Sequence, residues 1–105
     1  MDVKHQKLIN KLSWAQLLFK EIKKSLSSTG KTLRSFFEDD INSSDHITIK
    51  DFRSTLLISK LVDFDEYLQD INTLIQQITN DGEEKSFEFS ILELAIMKYA
   101  KGKRT

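Results

Sequence analysis

The sequence predicts an all-α fold, and three observations carry that expectation. The 105 residues contain no proline and only three glycines. Such a chain can run uninterrupted helices and is poor material for a turn-rich β-sandwich. Apolar residues recur at spacings of three and four through most of the length, the period of an amphipathic helix. Two polar stretches, 40–46 and 79–86, are each followed by only a brief alternation of apolar and polar residues, Ile47-Thr48-Ile49 and Phe87-Glu88-Phe89. That is enough for a two-stranded ribbon and too little for a larger sheet.

The first element is a basic amphipathic helix within residues 1–29. Leu8, Leu12, Ala15, Leu18, Phe19, Ile22 and Leu26 form its stripe, Trp14 lies beside it as an expected core anchor, and Ser27-Ser28-Thr29-Gly30 ends it. A short helix, about 31–39, presents Leu33, Phe36 and Phe37 on one side. After the first polar loop, helix returns over 51–61 through Phe52, Leu56, Leu57 and Leu61. Asp63 with Glu66 three residues later reads as a capping box. The helix it opens keeps its period through Phe64, Tyr67, Leu68, Ile71, Leu74, Ile75 and Ile78. A last helix carries Ile91, Leu92, Ala95, Ile96 and Tyr99. From residue 31 the order helix, loop, short strand, helix occurs twice, a weak repeat of about forty residues. Two such units face to face would bury stripes that neither could bury alone.

Formal net charge is zero, but its parts are unlike. Residues 1–29 carry +4, residues 30–97 carry −8 with 6 Lys/Arg against 14 Asp/Glu, and residues 98–105 carry +4. The absence of cysteine excludes disulfides, thiolate metal sites and cysteine nucleophiles. No apolar run approaches the ~20 residues of a membrane helix. No signal-peptide core follows the first residues, so a cytoplasmic address is expected. Neither a glycine-rich phosphate loop, nor a serine-nucleophile signature, nor HExxH occurs, and an enzyme is not expected. His5 and His46 are the only histidines, and both are expected to be solvated. The lysines cluster at the ends without a groove-reading motif, which argues against nucleic acid.

The informative segment is Asp40–Phe52, DINSSDHITIKDF. Oxygen-bearing side chains stand at its first, third, fifth, ninth and twelfth places: Asp40, Asn42, Ser44, Thr48 and Asp51. A hard cation such as Ca²⁺ takes six to eight oxygens, and a loop alternating ligand and spacer can wrap one ion. With Ile47 eighth and Phe52 thirteenth, the stretch resembles an EF-hand calcium loop of the calmodulin and myosin light-chain type. That resemblance implies a metal set of Asp40, Asn42, Ser44, Thr48 and Asp51, with His46 offering its backbone carbonyl. Three departures weaken it. Asn42 and Ser44 are neutral where the family usually has carboxylates. Asp51 replaces a bidentate Glu and is one methylene shorter. Asp45 stands sixth, where the family has Gly because φ is positive. Calcium binding is therefore expected to be weak or lost, at about 10⁻⁴ M or weaker, with no cofactor required and at most one weakly held Ca²⁺ or Mg²⁺.

If Phe87 plays the part of Ile47, a second loop starts at Asn80, with Gly82 third and Ile91 twelfth. An isoleucine cannot ligate a cation. The acidic residues Asp81, Glu83 and Glu84 are expected at a solvated loop edge. What survives is the apolar eighth place, so Ile47 and Phe87 are expected to face each other in a ribbon.

The resemblance thus implies an EF-hand-like pair, four helices with a short two-stranded ribbon over 30–100, preceded by one long amphipathic helix. The hands would span about 31–61 and 63–100, and 101–105 would be a basic tail. It further implies a non-enzymatic module that grips an amphipathic helix of a larger motor, cytoskeletal or scaffold protein. Groove candidates are Phe36, Phe37, Leu57, Leu68, Ile71, Ile75, Leu92, Ile96 and Met97. Three uses of residues 5–26 compete: packing on their own lobe, connecting to a preceding pair, or binding a partner or anionic membrane. Attraction between +4 and −8 favours the first, and a membrane surface is not expected. The alternatives for the whole chain are a calcium sensor or buffer using loop 40–51, and a structural helical segment of a larger cytoskeletal protein.

Overall fold

A computed structural model describes residues 3–100, with side chains from His5 onward. The tail expected at 101–105 lies outside the described residues. The elements are α1 (Val3–Asn10), a 3-10 segment (Lys11–Ala15), α2 (Gln16–Thr29), α3 (Leu33–Phe37), β1 (His46–Thr48), α4 (Ile49–Ser59), α5 (Leu68–Ile78), β2 (Ser86–Glu88) and α6 (Phe89–Tyr99). The chain is mostly helical, and its two strands form a single antiparallel ribbon.

The long first helix is broken rather than continuous. Ile9, Leu12, Ala15 and Leu18 are all buried, and they follow one another at intervals of three. A 3-10 helix has three residues per turn, so tightening the chain over Lys11–Ala15 keeps these four in line. The α period resumes with Phe19 and Ile22. The stripe therefore enters the core through Ile9, while Leu8 is only partly buried against it. Trp14 is displaced from the core it was expected to anchor. It is 39% exposed and its Nε1 donates to Oε1 of Gln77 on α5 at 2.6 Å. A large ring at the margin with its polar edge bonded is a common compromise for Trp.

Gly30 ends α2 with φ +71°, its N–H returning to the Leu26 carbonyl, as a left-handed cap does. Thr32 caps α3 by accepting from the Ser35 N–H, and this helix is shorter than the 31–39 expected because the chain turns over 38–40. Helix α4 starts two residues earlier than its apolar pattern suggests, because Thr48 Oγ1 accepts from the Asp51 N–H. Asp63 does accept from the Glu66 N–H at 3.1 Å, but residues 64–67 form turns and the regular helix begins only at Leu68.

One apolar core joins all these elements. Its centre is aromatic: Phe37 stacks on Phe52 at 5.4 Å, packs against Phe89 at 5.4 Å, and Phe87 meets Phe52 edge-on at 5.2 Å. Residues of α1 and α2 pack against α6, and the 3-10 segment packs against α5 and α6. The N-terminal segment thus lies on its own lobe. Ser25 Oγ secures its far end to the Leu61 carbonyl at 2.5 Å, and Lys98 Nζ donates to Asn10 Oδ1 at its near end.

If residues 9–22 are part of the core, truncation there should cost as much as truncation inside the lobe. Phe19→Ala is expected to lower unfolding stability by about 3–5 kcal/mol, whereas Leu17→Ala, at a position 71% exposed, should change it by less than about 0.5 kcal/mol. Urea unfolding followed by circular dichroism measures both.

Candidate functional site: the paired loops and the covered lobe

The strands pair His46 with Glu88, Ile47 with Phe87 and Thr48 with Ser86. The central pair is the one the apolar eighth places imply, and both side chains are buried. Just beyond the ribbon the two loops exchange a second set of bonds. The Ile49 N–H donates to the Lys85 carbonyl at 2.9 Å, and the Phe89 N–H donates to the Asp45 carbonyl at 2.7 Å. Counted from Asp40 and Asn80, each bond joins a tenth place to the partner's sixth. The loops are therefore related by a local pseudo-two-fold through the Ile47–Phe87 pair, although their sequences differ almost throughout.

Asp45 occupies the sixth place with φ +64°. An L residue is strained there unless a short polar side chain bonds nearby, and Asp and Asn tolerate it best. The side chain has two partners. Oδ1 accepts from Arg34 Nη1 at 2.8 Å, and Oδ2 accepts from the Ser90 N–H at 3.1 Å. The Ser90 N–H lies in the first turn of α6, so a carboxylate from loop one caps the helix that follows loop two. Arg34 extends the cluster with two bonds to Glu93, at 2.6 and 3.2 Å, and lies 5.2 Å from the Phe89 ring centre. Partial burial opposes the Asp45 charge, but Arg34 and Ser90 together outweigh it, and the carboxyl sits below the usual aspartate range.

Four of the six prospective metal donors in this loop, Asp40, Asn42, His46 and Thr48, are engaged by the protein itself. Asp40 Oδ2 accepts from Thr55 Oγ1 at 2.5 Å. Asn42 Oδ1 accepts from the N–H groups of Ser44 and His46, at 2.8 and 3.0 Å, which uses both lone pairs of an amide oxygen. The His46 carbonyl accepts from the Asn42 N–H at 2.8 Å, and Thr48 Oγ1 is the cap of α4. Ser44 is exposed, and Asp51 lies in the first turn of α4. An arriving cation would have to break the two Asn42 bonds to use that oxygen. Among the described residues no three His, Cys, Asp or Glu side chains gather as a metal group. In the second loop Asn80, Asp81 and Gly82 all have positive φ, and Ile91 in the twelfth place is buried. Asp81, Glu83 and Glu84 are exposed.

The nine groove candidates separate into two sets. Phe37, Ile71, Ile75, Leu92 and Ile96 are buried in the common core, with Phe36 partly buried against it. They do not line an open groove, because residues 9–22 add their own apolar stripe to that core. Leu57, Leu68 and Met97 are exposed, at 55%, 41% and 65%. Leu57 lines an open cleft, formed with Glu21, Ser25 and residues 60–65. Sequence reasoning missed this cleft because it joins α2 to a segment distant in the chain. The histidines are not fully solvated either: His5 Nε2 lies 3.2 Å from Glu88 Oε1, and His46 Nδ1 is 2.9 Å from the Ser44 carbonyl.

No family model matches this chain, and no curated protein or solved structure matches it either.

The Asp45 cluster makes a signed pH prediction. A carboxyl depressed in the folded state stabilises above its unfolded pKa of ~3.9, and that contribution is lost as pH falls through the folded value. Asp45→Asn keeps the tolerance for positive φ but removes the charge. It should cost about 1–2 kcal/mol at pH 7, since the cluster is partly exposed, with the gap to wild type closing below about pH 4. Asp45→Ala should cost roughly 1 kcal/mol more from backbone strain. Urea unfolding at pH 7 and pH 3.5 tests all three statements.

Proposed function

We propose that this chain is a non-enzymatic EF-hand-like binding module whose loops are held together without calcium. Four features support the likeness. Asp45 takes positive φ at the place where the family has glycine. The eighth places pair across the ribbon. The tenth and sixth places bond reciprocally. A helix precedes and follows each loop. Calmodulin-like and light-chain-like lobes grip amphipathic helices of other proteins, and the corresponding role here is protein binding.

The single observation that carries the proposal is the seating of residues 9–22 on α5 and α6. An acidic lobe already holds one basic amphipathic segment, with Leu12, Leu18, Phe19 and Ile22 essentially buried. The same complementarity of apolar and charged surface suits a basic amphipathic helix of a larger motor, cytoskeletal or scaffold protein. Calcium is not needed to set this state, because Asn42, Thr48 and Asp45 close the loop with bonds from the chain.

Two titrations test this. An amphipathic Leu/Lys peptide of about five helical turns should bind the full chain one-to-one in EGTA, and equally well in 1 mM Ca²⁺, by calorimetry. Absence of saturable binding under both conditions would overturn the binding role. Calcium alone should produce no saturable change in Trp14 emission below about 1 mM. A saturable change that disappears in Asp40→Ala would instead establish a calcium sensor.

A further inference from the structure

The proposed binding role leaves open where a partner can reach the lobe, since the chain's own residues 9–22 contribute to the covered core. We infer that the docking site is the cleft where the C-terminal part of α2 meets the end of α4 and the α4–α5 connection, and that its occupant is a basic amphipathic helix with an apolar anchor. This inference rests on the binding role proposed above and adds its location and partner chemistry.

The cleft has a volume of about 500 Å³, within the range of side-chain and small-ligand pockets. Its apolar wall is Leu57, 55% exposed, together with the partly buried Phe64. Beneath them Leu61 and Val62 are buried. The bond from Ser25 Oγ to the Leu61 carbonyl ties the two sides together, so the floor is fixed before anything binds. Lys60, in a left-handed C-cap with φ +57°, ends α4 at the rim. A binding site of this build costs little ordering on association.

The charge around it selects the occupant. Glu21, Asp63 and Asp65 line the cleft against the single cation Lys60. Glu66 and Asp70 stand nearby, and Tyr67 reports the resulting field. Burial first, and then the carboxylates of Glu21, Glu66, Asp70 and Asp63, raise its phenol above the ordinary tyrosine value. Among the described residues no Lys or Arg forms an ion pair with these acids. The last turn of α4 also points its carbonyl end toward the rim, which adds partial negative charge. An acidic, helix-end rim over a leucine and a phenylalanine favours lysine or arginine flanking an apolar side chain.

The test uses the full chain and the Leu/Lys peptide described above. Leu57→Asp is expected to weaken binding about tenfold or more, the loss typical of a central apolar contact. Leu57→Gln, a milder change that guards against misfolding, should weaken it in the same direction. Glu21→Lys combined with Asp65→Lys should weaken binding and flatten its salt dependence. Ile58→Asp, at an exposed apolar position that does not line the cleft, should leave affinity within about twofold. Circular dichroism confirms the helical content of each variant. Binding that ignores both Leu57 variants overturns this inference while leaving the binding role intact. A shift of Trp14 emission on peptide addition, signalling displacement of residues 9–22, overturns it too. Concentration-dependent dimerisation in sedimentation that Leu57→Asp abolishes would assign the cleft to a second copy and overturn it as well. Failure of the peptide to bind wild type at all would instead defeat the underlying proposal.

Discussion

Asp45 ties the two loops together from a strained backbone position. It sits in a left-handed conformation, offers its carbonyl to Phe89 and its carboxylate to Arg34 and to the start of α6. Each bond links the first loop to something outside it. Through Arg34 it reaches α3 and Glu93, and through the Ser90 N–H it neutralises the positive end of the last helix. The strain of positive φ is tolerable because the same side chain is bonded so fully. The ribbon follows from this arrangement, since Ile47 and Phe87 are brought face to face between the two reciprocal backbone bonds.

The ribbon in turn fixes the aromatic centre. Phe87 leaves the strand to meet Phe52, which stacks on Phe37, which touches Phe89. These four rings belong to both halves of the weak repeat, so neither half has a core of its own. The N-terminal segment completes what they begin by covering α5 and α6 with Leu12, Leu18, Phe19 and Ile22. Its lysines fall mainly on the opposite face. The basic first part of the chain and the acidic middle are therefore joined chiefly by apolar burial, with charge complementarity as a weaker, screened contribution.

Much of this was legible in the residues, and the failures have physical causes. The Ile47–Phe87 pair was readable because a short alternation after a polar loop has only one sensible register when its middle residue must be buried. The glycine stop at residue 30 was readable because glycine does one thing well at helix ends, whereas Asp63 caps only the turn over 64–67 and the helix after it begins at Leu68. The 3-10 segment was not, since Leu8 and Ile9 offer two phases for the same stripe. Only contact with α5 and α6 selects the one that threads Ile9, Leu12, Ala15 and Leu18. The misplacement of Trp14 follows from that phase. Groove residues such as Ile71 and Leu92 looked available because sequence shows which face is apolar but not what covers it. The fate of the loop oxygens was half legible. Sequence shows which of the loop's oxygen places lack a carboxylate, while the bonds from Thr55 to Asp40 and from two amides to Asn42 became visible only with the chain folded.

The claim beneath all of this is that the two loops are zipped by the protein's own hydrogen bonds. Amide hydrogen exchange at Ile49 and Phe89, whose N–H groups make the reciprocal bonds to Lys85 and Asp45, measures that directly. In EDTA both amides should be strongly protected, and addition of 1 mM Ca²⁺ should leave their rates unchanged. Exchange at open-chain rates in EDTA, with protection appearing only when calcium is added, would contradict it.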